Sequence, residues 1–327
     1  MSERSDRLES IATTIRDYRA GEIAEPTPEH VDQWVTQFDV DVQVPILVEL
    51  DYVLKKTYIN RDKVLEFLRS LINTEKLVGA DPCSFWRDVK FLDIQGAGNS
   101  QREMLSIFNT LLFEECGLEI VDCGINSEVF LYLDDVSFTG NRILGDLSNW
   151  IRVQAPNRAT VYVVTFALHR GGHFYADREI QNVARANGKE IELRWWRCLL
   201  IEDRMSHINT SDVLRPTSLP DDQLIRDYAS SLRFRPTMRL PGGHGENEFF
   251  SSEEGRHVLE QHLLTAGANI RDMCPYLNKY QRPLGNVLLE TLGFGSTLVT
   301  FRNCPNNTPL AFWVDNPWYP LFPRKIN

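Results

Sequence analysis

Between Val89 and Leu200 the hydrophobic period of the chain keeps switching, and that alternation constrains the fold more than any other feature. Apolar runs of strand length at Val89 to Gln95, Val129 to Leu133, Ala159 to Ala167 and Glu190 to Leu200 are separated by helix-length segments. These segments are Arg102 to Glu114, Ile143 to Val153 and Asp177 to Ala186. Val129, Phe130, Leu131, Tyr132 and Leu133 are unbroken apolar, as a parallel strand buried on both faces requires. Strands joined by helices of this length imply right-handed βαβ units. The expected fold class is therefore α/β, with a doubly wound, mainly parallel sheet at its centre.

The flanks read differently. Up to about Thr74 the pattern is helical: Thr27 caps a helix opened by Pro28 and running Glu29 to Gln37, Val44 to Tyr58 is apolar at mixed helical spacing, and Asn60 caps Arg61 to Ile72. This predicts a helical N-terminal module over 1–80, packing on the sheet or on a partner protein, ahead of a core over 81–203. Residues 204–248 break the rhythm with Pro, Ser, Gly and Arg, including the loop signal Pro241-Gly242-Gly243-His244-Gly245. Beyond them lie a helix over Ser251 to Ala266 and a strand-like Leu292 to Phe301. Residues 204–327 are thus expected to be an α+β extension that completes the core or covers the site.

At the end of the Val129 strand stand Asp134 and Asp135, followed by Ser137, Phe138, Thr139, Gly140, Asn141 and Arg142 ahead of the next helix. Ligands of open α/β sheets bind outside the carboxyl ends of the strands. Two carboxylates there can accept hydrogen bonds from vicinal sugar hydroxyls. Backbone N–H groups at a helix start, flanked by hydroxyls, suit a phosphate monoester. The competing account is a plain acidic strand end with Thr139 as an ordinary N-cap. One unit earlier, Gln95, Gly96, Ala97, Gly98 and Asn99 form a small-residue turn between a strand and a helix, where backbone amides can approach a diphosphate. It lacks the last Gly of a dinucleotide fingerprint, and a tight turn is its plainer reading.

The series from Asp134 to Arg142 resembles the phosphoribosyl diphosphate (PRPP) signature of type I phosphoribosyltransferases, with the Gly96 turn where that family has its diphosphate loop. Arg142 replaces the final hydroxyl residue of the signature. The combination of Pro283-Leu284-Gly285, a Gly293-Phe294-Gly295-Ser296 strand and Arg302-Asn303-Cys304-Pro305-Asn306-Asn307-Thr308-Pro309 with Trp313 resembles phosphoribosyltransferase-like proteins of bacterial conflict and anti-phage systems, including retron-associated ones. The resemblance covers most of residues 35–315. It implies a sheet of the phosphoribosyltransferase type, a ribose phosphate ligand, Mg²⁺ carried by the bound diphosphate with no direct metal ligand, and an effector enzyme of antiviral defence. Asp134 and Asp135 would be catalytic; Ser137 to Arg142 and Gln95 to Asn99 would bind substrate. A regulatory module sensing PRPP is the alternative, because the segment Glu115 to Glu128 is short for the mobile loop that catalytic members carry there. Arg170 and His173, from the stretch His169 to His173, are candidates to cover a departing diphosphate, with a solvated loop as the plain reading. Arg302, Asn306 and Asn307 could address a base or phosphate, or form a structural turn.

Composition narrows the function classes. A net charge of −10 argues against nonspecific nucleic-acid binding as the whole function, leaving nucleic acid as a partner only through a local basic site. Glu192 to Arg197, with Trp195 and Trp196, reads better as an edge strand than as a stacking platform. No apolar stretch approaches the roughly 20 residues that span a bilayer, and the charged N-terminus lacks a signal-peptide core, so a cytoplasmic location is expected. Cys83, Cys116, Cys123, Cys198, Cys274 and Cys304 have no metal-ligand spacing and read as reduced packing residues. His257 and His262 do not share a helix face, and no P-loop or zinc motif stands in the chain.

Overall fold

The computed structural model describes residues 2–96 and 98–325. In chain order the elements begin with α1 (Glu3–Thr14), α2 (Pro28–Val35), α3 (Val40–Thr57), β1 (Tyr58–Ile59), α4 (Arg61–Asn73), α5 (Glu75–Val78) and α6 (Pro82–Asp88). There follow β2 (Lys90–Phe91), α7 (Ser100–Cys116), β3 (Val129–Ser137), α8 (Asn141–Val153), β4 (Arg158–His169), α9 (Arg170–Ala186) and β5 (Glu190–Ile201). The last part holds α10 (Gln223–Ser231), α11 (Glu253–Met273), β6 (Gln281–Arg282), β7 (Gly285–Asn286), β8 (Val299–Thr300) and α12 (Leu310–Trp313). Contacts divide the chain into unit 1, Met1–Arg61 with Glu202–Asn327, and unit 2, Asp62–Ile201. The division falls at 61/62 and 201/202, where the sequence pattern placed 80/81 and 203/204.

Unit 2 is the α/β body. Its sheet has the order β2-β3-β4-β5 with every pair parallel. Phe130, Tyr132, Val161 and Val163 turn one face towards Ile143, Leu147, Trp150 and Ile151 of α8 and Ala176, Ile180 and Ala184 of α9. On the opposite face Phe67 of α4 meets Phe166 at 5.4 Å, and Phe85 of α6 meets Tyr162 at 5.9 Å. Phe91 packs there on Trp86 of α6 and Phe108 of α7. Helices cover both faces, which explains why β3 and β4 are apolar without alternation.

Two expected strands are shorter in the structure. In the Val89 to Gln95 run, Lys90 and Phe91 pair with β3, and Leu92 N–H donates to Leu131 O. The ladder stops because Gln101 Oε1 accepts the N–H groups of Ile94 and Gln95. Within Leu292 to Phe301, the ladder holds Val299 and Thr300. Gly293 and Gly295, at φ 139° and 81°, turn the preceding backbone out of the extended form.

Two of the six cysteines are not reduced, contrary to the expectation from their spacing. Cys83 of α6 and Cys116, the last residue of α7, form a disulfide, because packing of Trp86 on Phe108 brings their Cα atoms to 5.3 Å. Cys123, Cys274 and Cys304 are buried and free, and Cys198 is exposed and free.

Unit 1 is built from both ends of the chain. The Trp34 indole of α2 donates to Ala311 O of α12 at 2.7 Å, and Tyr18 lies edge-on against Phe322. β1 pairs in parallel with β8. Buried Glu260 of α11 accepts from the guanidinium groups of Arg239 at 2.8 Å and Arg256 at 2.7 Å, and from Arg215 N–H. Pairing of this kind is what allows charged groups to be buried.

Candidate functional site

The acidic pair lies within β3, which continues through it to Ser137 because β4 supplies partners as far as Leu168. Successive strand residues point to opposite faces, so the two carboxylates differ. Asp134, on the face of Tyr132, is 2% exposed. It accepts from Asp135 N–H at 2.9 Å and from the Ser100 hydroxyl at the start of α7. Burial first, then the neighbouring Asp135 charge, pushes its pKa up to about 7, against the pull of Ser100, the Asp135 amide and Arg142. Asp135 is half-buried, and its Oδ1 accepts from Val136 N–H at 2.7 Å.

Beyond β3 the chain turns tightly into α8. Gly140 is the N-cap, at φ 74°. A Cβ on it would stand 2.3 Å from Gly172 O, and a Cβ on Gly172 would stand 2.1 Å from Phe138 O. The loop thus lies directly on the first turn of α9, and neither glycine can carry a side chain without displacing backbone. His169 Nδ1 bonds Ser137 O at 3.0 Å while its ring stacks on Phe138. Thr139 Oγ1 accepts a long bond of 3.5 Å from Asn141 N–H. Asn141 and Arg142 are exposed on the first turn of α8.

The small-residue turn is fastened to the same region. Gln95 Oε1 accepts from Gln101 N–H, its amide donates to Ser100 Oγ at 2.8 Å, and Gln101 returns two bonds to the turn. Gly96 N–H donates to Asp146 Oδ1 at 3.1 Å, and the other oxygen of that carboxylate accepts from the Tyr132 hydroxyl at 2.8 Å. Gly98, at φ +86°, lies under the Arg142 guanidinium, whose Nη1 is 3.2 Å from where a Cβ would stand. Asn99 is the exposed N-cap of α7, and Ala97 lies outside the described residues. The structure therefore joins the two motifs through Ser100, Arg142 and Asp146. Gln101 and Asp146 escaped the sequence pattern, although the one-turn spacing of Asp146 from Arg142 on α8 was available, while Ser100 and Gly172 stood inside the two stretches singled out there without a role of their own.

The remaining candidates stand elsewhere. Arg170 and His173 belong to the first turn of α9, so of the two accounts of this stretch the solvated loop does not hold; it is helical, and Gly172 serves the close approach to Phe138 and Gly140. His173 packs on Trp195 of β5 at 4.7 Å, and burial holds its pKa below the usual imidazole value. Arg302, Asn306 and Asn307 lie in unit 1. The Asn307 amide donates to Asn286 O, and Asn306 O accepts from Asn286 N–H, as a structural turn would require. After α7 the segment 117–128 is pinned: Ile120 N–H donates to Asn109 Oδ1, Gly124 N–H donates to Arg87 O, and Gly124 abuts the Lys90 backbone. Among the described residues no group of three or more His, Cys, Asp or Glu could hold a metal ion, and no helix is long and apolar enough to cross a membrane.

The family model PRTase-CE matches residues 31–324. No curated protein and no solved structure matches the chain.

Proposed function

The chain belongs to the PRTase-CE family of phosphoribosyltransferase-like proteins, and from that premise we propose that unit 2 binds PRPP or a close relative and transfers its ribosyl phosphate. The observation that carries this reading is the convergence of Asp134, Ser100, Arg142 and the turn residues Gln95, Gly96 and Gly98 at the carboxyl end of one parallel strand. Asp134 and Asp135 would accept from the ribose hydroxyls, Ser137 to Asn141 and the start of α8 would hold the 5′-phosphate, and Gln95 to Asn99 with Arg142 would hold the diphosphate. In the transfer, the bond from ribose C1 to diphosphate breaks with its electron pair leaving on the diphosphate, and an acceptor nitrogen forms the new bond to C1. The acceptor's proton would pass to the acidic pair, where Asp134, with a pKa of about 7, is matched to proton exchange near neutrality.

Mg²⁺ fits this donor set. It binds readily through substrate phosphates without an all-protein cage, so the diphosphate itself would carry it, in keeping with the absence among the described residues of a His, Cys, Asp or Glu group that could hold the ion directly. It would neutralise charge on the diphosphate. The acceptor class in this reading is a nucleotide, nucleobase or nucleic acid, and the setting is an effector in bacterial anti-phage defence, which the resemblance of the sequence supports.

The pinned segment 117–128 favours a second reading, a PRPP-sensing module that controls a partner protein, since excluding water from a reactive centre normally needs a closing element. Calorimetric titration with PRPP and Mg²⁺, beside the Asp134→Ala/Asp135→Ala double variant, tests the site. Saturable binding lost in a folded variant is expected, and wild type that binds no PRPP overturns the reading. Diphosphate release with acceptors present separates transferase from sensor.

A further inference from the structure

Arg142 and Asp146 stand one helical turn apart on α8, and both meet the turn proposed to hold a diphosphate. The Asp146 carboxylate takes the Gly96 amide at 3.1 Å, the arrangement a phosphate oxygen would adopt there. Its second oxygen is held by the Tyr132 hydroxyl at 2.8 Å, from a side chain with 0% exposure, so the carboxylate is aimed and not merely nearby. The Arg142 guanidinium lies over Gly98, where it faces the same turn. A carboxylate and a guanidinium on one helix face thus complete the turn from within the chain.

We propose that Asp146 is a positioning residue that occupies the Gly96 amide in the ligand-free chain and is displaced from it when a diphosphate-bearing ligand binds. This rests on the ribose-phosphate reading of unit 2 and adds the group that governs entry to its diphosphate end. A carboxylate on the amide keeps the turn shaped for an anion, and its charge opposes the incoming one. Asn at 146 keeps an acceptor for Gly96 and a donor for the Tyr132 oxygen while removing the charge. Bonds to charged groups are roughly twice as strong as neutral ones, so the competing contact weakens.

The experiment is titration of wild type and Asp146→Asn with inorganic diphosphate plus Mg²⁺, with PRPP in parallel. The variant is expected to bind diphosphate about five- to tenfold more tightly, from the difference between charged and neutral hydrogen bonds. Equal or weaker binding by the variant, or binding by neither protein, overturns the proposal. Weakening that appears with Mg²⁺ and vanishes without it also overturns it, assigning Asp146 to the cation instead. Failure of the underlying reading looks different: wild type then takes no PRPP, whatever Asp146→Asn does with diphosphate. Should the variant not fold, the wild-type Gly96 amide resonance decides, moving on addition of Mg²⁺ and diphosphate if Asp146 is displaced and staying if it is not.

Discussion

Asp134→Asn should make the protein more stable relative to wild type as the pH rises. The carboxyl is buried beneath the sheet face with Asp135 beside it, and its pKa lies at about 7 in the folded chain against 3.8 for an ordinary aspartate. The folded form therefore keeps a proton that the unfolded form releases. This contribution to stability is complete below 3.8 and is lost as the pH climbs through about 7. Between pH 5 and pH 7 each pH unit costs about 1.4 kcal/mol, so wild type should lose about 2–3 kcal/mol against the variant between pH 5 and pH 8, after a reduction for relaxation around the charge. Urea unfolding of both proteins at pH 5, 6, 7 and 8, followed by tryptophan fluorescence, measures the difference; Trp150 sits in the cluster that α8 forms on this sheet face. Glu49 and Asp212, held high by burial, and His30, His173 and His262, held low by it, also move with pH, and they cancel between the two proteins. Stability curves that run parallel from pH 5 to 8 would refute the reasoning.

Three further perturbations read other parts of the structure. Gly172→Ala puts a Cβ 2.1 Å from Phe138 O, so it should cost about 1–3 kcal/mol as overpacking and weaken PRPP binding by shifting the loop before α8; calorimetry with unchanged affinity would contradict this. Replacing Cys83 and Cys116 together by Ser opens a loop of sequence separation 33 and should cost about 3–4 kcal/mol, measured as a lower urea midpoint than the oxidised wild type. Glu260→Ala leaves Arg239 and Arg256 buried without their shared carboxylate, which should cost about 3–5 kcal/mol in thermal and urea unfolding; Glu260→Gln should recover part of it, because the amide oxygen still accepts.

The central sheet was legible because each strand announces itself through its own apolar run. Val129 to Leu133 needs both faces covered, and α4, α6, α8 and α9 provide that cover. Strand length is less legible, since it is set by the neighbour. β3 runs on through the acidic pair because Thr165, Ala167 and Leu168 are there to meet it, and β2 stops early because a side chain seven residues on, Gln101, captures Ile94 N–H. Gly171-Gly172 reads locally as a helix breaker. Its role, letting two backbones touch, depends on Phe138 and Gly140, which come more than thirty residues earlier. The Cys83–Cys116 bridge follows no spacing rule, as it results from how α6 and α7 pack. For Asp146 the spacing from Arg142 placed it on the same helix face, but its role was not legible, because its hydrogen-bond partners, Gly96 and Tyr132, sit on two other segments.

The construction of unit 1 from the two ends of the chain has a consequence for how the protein comes off the ribosome. Unit 2 is one uninterrupted stretch, Asp62–Ile201, and every strand of its sheet pairs with a neighbour close in sequence, so its contacts can close while synthesis continues. The first helices can pack on one another, α1 against α2 and α3, but their other partners lie far along the chain. Tyr18 donates to Pro323 O, 305 residues further along the chain, and packs on Phe322, and Trp34 donates to Ala311 O, 277 residues further along. Trp34 and Tyr18, both at 0% exposure in the folded protein, cannot complete their burial until those partners have been made. Unit 1 can therefore be completed only after the whole of unit 2 has been synthesised, because its two segments flank that stretch.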